Sequence, residues 1–502
     1  MKDDRSERWQ MANGNWKTSM IETPHWVRHA VFYQIFPDRF AKSARVPKPS
    51  NLEPWEGRPT HYGFKGGDLL GIAERLDYLQ DLGINAIYLC PIFQSTANHR
   101  YHTHDYYRVD PILGGDAAFR ALLDEAHRRD IRIIIDGVFN HASRGFYQFN
   151  HALENGAASP YLDWFYIRGF PLHAYEGKPT NYDAWWGIPA LPKLNTSTPA
   201  VREFIFGVAE HWIRFGADGW RLDVPGEIDD DEFWREFRRR VKAVNPDAYI
   251  VGEIWHPAQR WLQGDQFDAV MNYLFTKACI GFCIGARMDV NLTSGVGYAP
   301  VPVLDAPAFA RALQETLDMY DRGVRDVQMN LLDSHDTARF LSIAGGDAAA
   351  LKLATLCQMT FPGAPSVYYG DEVGMLGGKD PDCRRAFPWD EAAWNTELRD
   401  YFKRCIALRR RYRALRDGEW RVVLADGSVI AYLRTWGDEK LIIALNSGAA
   451  ATVEIAVRDA LPEGARLRVE VGQQANYTVT NGALSNVSVP ERGGIVLALS
   501  TT

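Results

Sequence analysis

The chain has 502 residues, 46% hydrophobic and 24% charged, with a formal net charge of −7. It is too long for one hydrophobic core, and its acidic balance, without basic blocks interleaved with aromatics, excludes a nucleic-acid-binding surface. No apolar run reaches the about 18 residues that span a bilayer, so no membrane partner is expected.

Residues 1–25 read as an N-terminal arm. They are polar and charged at the start, without the apolar core of a secretory signal. The six cysteines form no disulfide framework, and Cys279 and Cys283 have no second pair of ligands for zinc. They read as free thiols, and cytoplasmic residence is the expectation.

From Val31 onwards short apolar runs alternate with amphipathic ones. Val31–Phe36, Asn85–Phe93, Ile131–Phe139, Asp218–Val224, Ala248–Ile254, Phe267–Tyr273, Asp326–Asp336 and Pro365–Glu372 read as buried strands. Their near-continuous hydrophobicity suits strands covered on both faces. Helical stripes separate them over Asp68–Leu82, Ala117–Arg129, Pro199–Phe215, Asp230–Val244 and Pro307–Tyr320. Pro199, after Ser197 and Thr198, marks a capped helix start. The fold class is therefore α/β: a (β/α)8 TIM barrel over residues 26–141 and 199–412.

Two stretches break the rhythm. Residues 142–198 are rich in Trp, Tyr, Pro and Asn and read as a small domain inserted after the third strand. Residues 413–502 alternate apolar and polar positions around turn signals such as Asp426-Gly427, and read as a C-terminal antiparallel β-sandwich.

In such a barrel the site lies at the C-terminal strand ends. The third strand ends in Asp136 to His141, the fourth in Arg221-Leu222-Asp223, the fifth in Glu253 to His256, the seventh in Asp333 to Asp336. One such residue is a turn or cap; the whole set on one face would be costly to bury without a purpose. Retaining glycoside hydrolysis needs two carboxyls about 5–5.5 Å apart, one as nucleophile and one as acid/base. Asp223 and Glu253, on neighbouring strands, suit that spacing. Arg221 points to the side of Asp223 and would hold it ionised, while a less polar setting beside Trp255 would keep a proton on Glu253. His335 and Asp336 would grip sugar hydroxyls.

These residues resemble the α-amylase family, glycoside hydrolase family 13. Its blocks appear in order as DGVFNH from Asp136, GWRLDV from Gly219, EIWH from Glu253 and LLDSHD from Leu331. LPKLN, Leu191 to Asn195, is similar to a signature of the neopullulanase, cyclomaltodextrinase and maltogenic amylase group, and the match covers nearly the whole chain. The resemblance implies Asp223 as nucleophile, Glu253 as acid/base and Asp336 as transition-state stabiliser. It implies that Tyr101, His141, Arg221, His335 and Arg339 hold the sugar beside the scissile bond, and that Glu227, Trp255 and His256 lie near the following sugars. No cofactor is implied. The sequence departs from the group in three ways. Only a short arm precedes Trp26, where the group carries a starch-binding β domain, so the oligomeric state stays open. The loop AKSARVPKPSNLEPW after Phe40 is almost empty of carboxylates, so no metal is expected there. His102 and Pro225-Gly226 replace a common aspartate and Ala-Asn.

The expected function is hydrolysis of α-1,4-glucosidic bonds in maltooligosaccharides, cyclodextrins, pullulan or starch. A transglycosylase or isomerase on the same scaffold is the alternative, and a non-catalytic carbohydrate-binding scaffold a more remote one.

Overall fold

Eight short apolar segments pair in parallel in the computed structural model, which describes residues 9–12, 15–18 and 21–500. They are β1 (Phe32–Ile35), β2 (Ala86–Leu89), β3 (Arg132–Gly137), β4 (Gly219–Leu222), β5 (Tyr249–Gly252), β6 (Ala269–Val270), β7 (Met329–Leu331) and β8 (Ala364–Tyr368). The hydrogen-bonded order runs β6-β5-β4-β3-β2-β1-β8-β7, and a parallel bridge from Met271 to Met329 joins its two edges. Every residue of β1, β2, β4 and β5 is buried, which is why these segments read as unbroken apolar runs. Gly219 permits one close approach: a Cβ there would lie 2.2 Å from the Tyr249 carbonyl oxygen on the next strand.

The connecting helices follow the expected stripes, with two differences. The Asp68–Leu82 stripe forms two pieces, Leu69–Ala73 and Leu76–Leu82, interrupted near Arg75, whose guanidinium lies 4.1 Å over the Trp389 ring. Pro199 opens the helix Pro199–Phe215 as expected, but Thr198 does not cap it with its side chain. Its hydroxyl donates instead to the Asp163 carbonyl at 2.6 Å, tying the helix start to the inserted segment. The sixth strand shortens to two residues.

Between β3 and that helix the chain forms the helix Tyr147–Asn155 and antiparallel bridges joining Phe165 to Leu194, Ile167 to Tyr182 and Ala184 to Pro192. A further bridge, His141 to Lys193, ties this excursion to the end of β3. Past Arg413, a six-stranded antiparallel sheet faces a two-stranded ribbon, Ala451–Ala456 with Ala483–Val489. Ala431, Leu433, Ile442, Ile455, Leu484 and Leu497 fill the space between them. Tyr432 and Arg434 reach back to Thr360 on the barrel.

Within the expected arm, Trp9–Ala12 pairs antiparallel with Asn15–Thr18; residues 1–8, 13–14 and 19–20 lie outside the described residues. From Ile21 the chain is bound to the barrel. The Ile21 amide donates to Asp321 (3.0 Å), Thr23 to the Gly323 carbonyl (2.8 Å) and Trp26 to the Asp247 carbonyl (2.9 Å). Among the described residues no helix is long and apolar enough to cross a membrane, and the six cysteines are free and buried.

Candidate active site

Register decides which strand ends meet. Asp136 on β3 sits directly opposite Arg221 on β4, and Leu222 sits opposite Gly252 on β5. The ladder continues one step beyond the strands, with the Asp223 amide donating to the Gly137 carbonyl and the Glu253 amide to the Leu222 carbonyl, both at 3.0 Å. Asp223 and Glu253 are therefore carried at one level on adjacent strand ends.

Arg221 stands at the centre. Its Nη1 donates to both Asp136 oxygens (2.9 and 3.0 Å) and to Asp223 Oδ1 (3.0 Å). Its Nη2 lies 3.0 Å from Glu253 Oε2 and 3.9 Å from Asp336 Oδ2, but makes no hydrogen bond of good geometry among the described residues. Four carboxyl groups thus share one guanidinium. Asp136 is wholly buried and also accepts from the hydroxyls of Tyr88 (2.7 Å) and Tyr101 (2.9 Å). Asp223, Glu253 and Asp336 border the cleft, Asp336 with 27% of its side chain exposed.

Burial pushes the carboxyls of Asp223 and Glu253 upward, Arg221 pulls them back, and a neighbouring carboxylate pushes each up again: Glu253 on Asp223, Asp336 on Glu253. Burial raises Asp336 too, against the pull of Arg384 and Arg221. Arg221 donates in good geometry to Asp223 but only approaches Glu253, so this guanidinium favours the ionised form of Asp223 more strongly than that of Glu253.

Two devices aim Glu253. The Trp255 indole N–H donates to its Oε1 (3.1 Å), and that indole is stacked on Tyr273 with centroids 3.6 Å apart. The Val224 amide donates to its Oε2 (3.0 Å). Val224 does so from a left-handed conformation (φ 36°, ψ 50°), a strained place for a β-branched side chain. The histidines stay neutral. Burial drives His335 well below the usual imidazole range and His141 down to about 3. Gln34 donates to His335 Nδ1 (2.7 Å), so Nε2 carries the proton and donates to the Tyr101 hydroxyl (2.5 Å), with Asp336 Oδ2 3.2 Å away. Tyr101 lies parallel to the His335 ring, centroids 5.5 Å apart. His141 Nε2 is buried without a partner among the described residues, which leaves a donor for a ligand hydroxyl.

The structure thus gathers Tyr101, Arg221, Asp223, Glu253, Trp255, His335 and Asp336 into one cluster. Glu227 and His256 are exposed on the loops after β4 and β5, the backbone carbonyl of Glu227 accepting from Lys193 Nζ at 2.9 Å. Arg339 is the correction: it is wholly buried, bonded to Asp371 (2.8 Å) and to the Cys383 carbonyl (3.2 Å), with its guanidinium 4.4 Å over the Tyr368 ring. Asp371 and the rings of Tyr368 and Tyr369 (5.0 Å) draw it into the wall, where it braces the loops. The arginine beside Asp336 is Arg384 (3.5 Å), which also donates to the His335 carbonyl (2.8 Å). Its signal in the sequence was a basic pair in the Gly- and Asp-rich loop after the eighth strand. Asp136, the partner that orders Arg221, was also missed as a site residue, although it was visible as a strand-end carboxylate.

In the loop after Phe40, Lys48 Nζ lies 2.8 Å from Asp68 Oδ2 and donates to the Ile112 carbonyl (2.9 Å). The carboxylate there is already paired with a side-chain cation.

Comparison with known proteins identifies the family. The alpha amylase catalytic domain family matches residues 34–417. A cyclomaltodextrinase of Geobacillus thermopakistaniensis (strain MAS1) is 46% identical over 434 residues, covering 86% of this chain and 71% of that protein. Neopullulanase 2 of Thermoactinomyces vulgaris is 45% identical over 436 residues, with coverage of 86% and 71%. A debranching enzyme of Nostoc punctiforme superimposes with a TM-score of 0.86 at 50% identity, over 95% of this chain and 99% of that one. With the barrel, its strand-end carboxylates and these relatives together, the chain belongs to the α-amylase family of glycosidases.

Proposed function

We propose that this glycosidase hydrolyses α-1,4-glucosidic bonds of maltooligosaccharides, cyclodextrins, pullulan or starch with retention of configuration. The observation that carries the assignment of roles is the pair Asp223 and Glu253, on adjacent strand ends and against the two terminal nitrogens of one guanidinium. Glu253 gives its proton to the leaving glycosidic oxygen while Asp223 attacks the anomeric carbon, forming a glycosyl ester as the C–O bond breaks. Glu253, now a carboxylate, takes a proton from water; that water attacks the same carbon and releases Asp223. Asp336, His335 and the Nε2–H of His141 hold the reacting sugar, and Tyr101 offers it a ring face. Trp255, Glu227 and His256 border the path of the following sugars.

The relatives' names support the substrate class. Cytoplasmic residence is supported by a relative of Bacillus subtilis (strain 168) named intracellular maltogenic amylase, 39% identical over 433 residues.

The test is product analysis with starch, pullulan, γ-cyclodextrin and maltotriose, beside Asp223→Asn and Glu253→Gln. The expected result is shorter sugars of retained anomeric configuration and loss of turnover in both variants. Longer or isomeric sugars would replace hydrolysis by transfer. Unchanged turnover in either variant would refute its assigned role.

A further inference from the structure

A pair of tryptophans extends the site outward from His141. The Trp185 indole stacks on the His141 ring (centroids 5.2 Å, planes 19° apart), and Trp186 stacks on Trp185 (4.4 Å, 11°). Trp186 is 80% exposed, although an indole of this size normally covers its apolar faces. It is also held in a left-handed conformation (φ 52°, ψ 21°), which a non-glycine residue adopts only when its surroundings impose it.

The surroundings do impose it. Ala184 bridges to Pro192, the Trp185 amide donates to the Leu191 carbonyl (3.0 Å), and the Lys193 amide donates to the Asp183 carbonyl (2.8 Å). Arg168 clamps the base of this tip through Asp183 and the Tyr182 carbonyl. A strained, rigidly bracketed and exposed aromatic serves a contact outside the fold.

The indole borders a cavity of ≈ 350 Å³ whose wall includes Arg168, Thr180, Asp183, Lys193 and Glu227. Two atoms of wall residues, Asn140 Oδ1 and Trp185 Nε1, are buried without a hydrogen-bond partner among the described residues, and Asn140 is only 1% exposed. An apolar ring face beside charged groups and unpaired polar atoms matches a pyranose, which offers a C–H face and a rim of hydroxyls. Continuity with His141 makes the occupant the same glucan that occupies the cleft.

We propose that Trp186 is a stacking platform for a glucose unit remote from the scissile bond, on the Glu227 side of the cleft. The enzyme then prefers linear α-glucans long enough to reach that platform over short ones. This specificity rests on the hydrolase reading above.

The experiment measures kcat/KM on the series maltotriose to maltoheptaose for the wild type, Trp186→Ala and Trp186→Phe. In parallel, the same Trp186 substitutions are placed in Glu253→Gln and titrated with maltoheptaose by calorimetry. Expected is a maltoheptaose-to-maltotriose ratio of kcat/KM roughly tenfold lower in Trp186→Ala, arising in KM, with Trp186→Phe keeping most of it. Maltoheptaose affinity should weaken by a similar factor. An unchanged ratio together with unchanged affinity would overturn the platform. Weakened affinity in the Trp186→Ala variant, with no glucan turned over by the wild type, would uphold the platform and sink the hydrolase reading instead.

Discussion

Replacing Arg221 by methionine tests whether one guanidinium carries the charge of the cleft. Methionine fills much of the same volume, so the variant removes charge and hydrogen bonds more than packing. Arg221 and Asp136 are both wholly buried, and Asp136 cannot turn to water as the cleft carboxyls can. Breaking a buried pair by deleting one partner costs about 3–5 kcal/mol. The hydroxyls of Tyr88 and Tyr101 still donate to Asp136, which points to the lower end of that range.

The loss must depend on pH. Burial already raises the Asp136 carboxyl, with Arg221 opposing, so removing Arg221 raises it further. A carboxyl raised in the folded state contributes most below its unfolded value, about 3.9, and that stability is lost as pH rises through the folded value. The variant should therefore lie close to the wild type in acid and fall away towards neutral pH. Thermal midpoints at pH 5 and pH 7.5 measure this, at about 2–4 °C per kcal/mol for domains of 150–250 residues and less for a larger barrel. An equal deficit at both pH values, or none at pH 7.5, would refute the charge argument and leave only packing.

Three further outcomes follow from named contacts. Trp255→Phe deletes the indole donor that favours the ionised form of Glu253, so the Glu253 carboxyl rises. The basic limb of the kcat/KM profile should move to higher pH and the maximum fall roughly fivefold; a limb moving to lower pH would contradict the acid role. Arg384→Ala removes the cation beside Asp336 and the donor to the His335 carbonyl, and should lower kcat/KM roughly tenfold or more, with Arg384→Lys recovering part. Full activity in Arg384→Ala would remove Arg384 from the site. Gly219→Ala presses a methyl onto the Tyr249 carbonyl and should cost about 1–3 kcal/mol or more in a urea titration; a stability equal to wild type would mean the strands can part there.

The strands and catalytic candidates were legible because both follow local rules. Runs such as IRIIID announce a strand covered on both faces, and a charge at the end of such a run needs an explanation that Asp223 and Glu253 supply. What stayed hidden depends on closure in three dimensions. Arg339, three residues after Asp336, is expected to hold the sugar beside the scissile bond, yet Asp371 and two tyrosine rings turn it into the wall; Arg384, far along the chain, lies beside Asp336 instead. The left-handed Val224 and Trp186 were also invisible, because neither residue type favours that conformation and only the surrounding brackets force it.

The imbalance of charge at Arg221 suits the cleft to the proposed reaction. A barrel seeking stability alone would pair each buried carboxyl or replace it with an apolar side chain. Here one cation serves four carboxyls, and it is shared unevenly: Asp136 and Asp223 receive its hydrogen bonds, Glu253 and Asp336 only its proximity. Under the proposed roles, that unevenness lets the guanidinium favour negative charge on Asp223 over Glu253. The oxocarbenium-like transition state of glycoside cleavage develops positive charge at the anomeric carbon. A pre-formed excess of negative charge stabilises that state more than the neutral substrate, and needs no rearrangement at the moment of reaction. Full compensation by a second arginine would stabilise the fold and weaken this preference, so Arg384 is useful where it stands, 3.5 Å from Asp336 and outside the contact between Asp223 and Glu253.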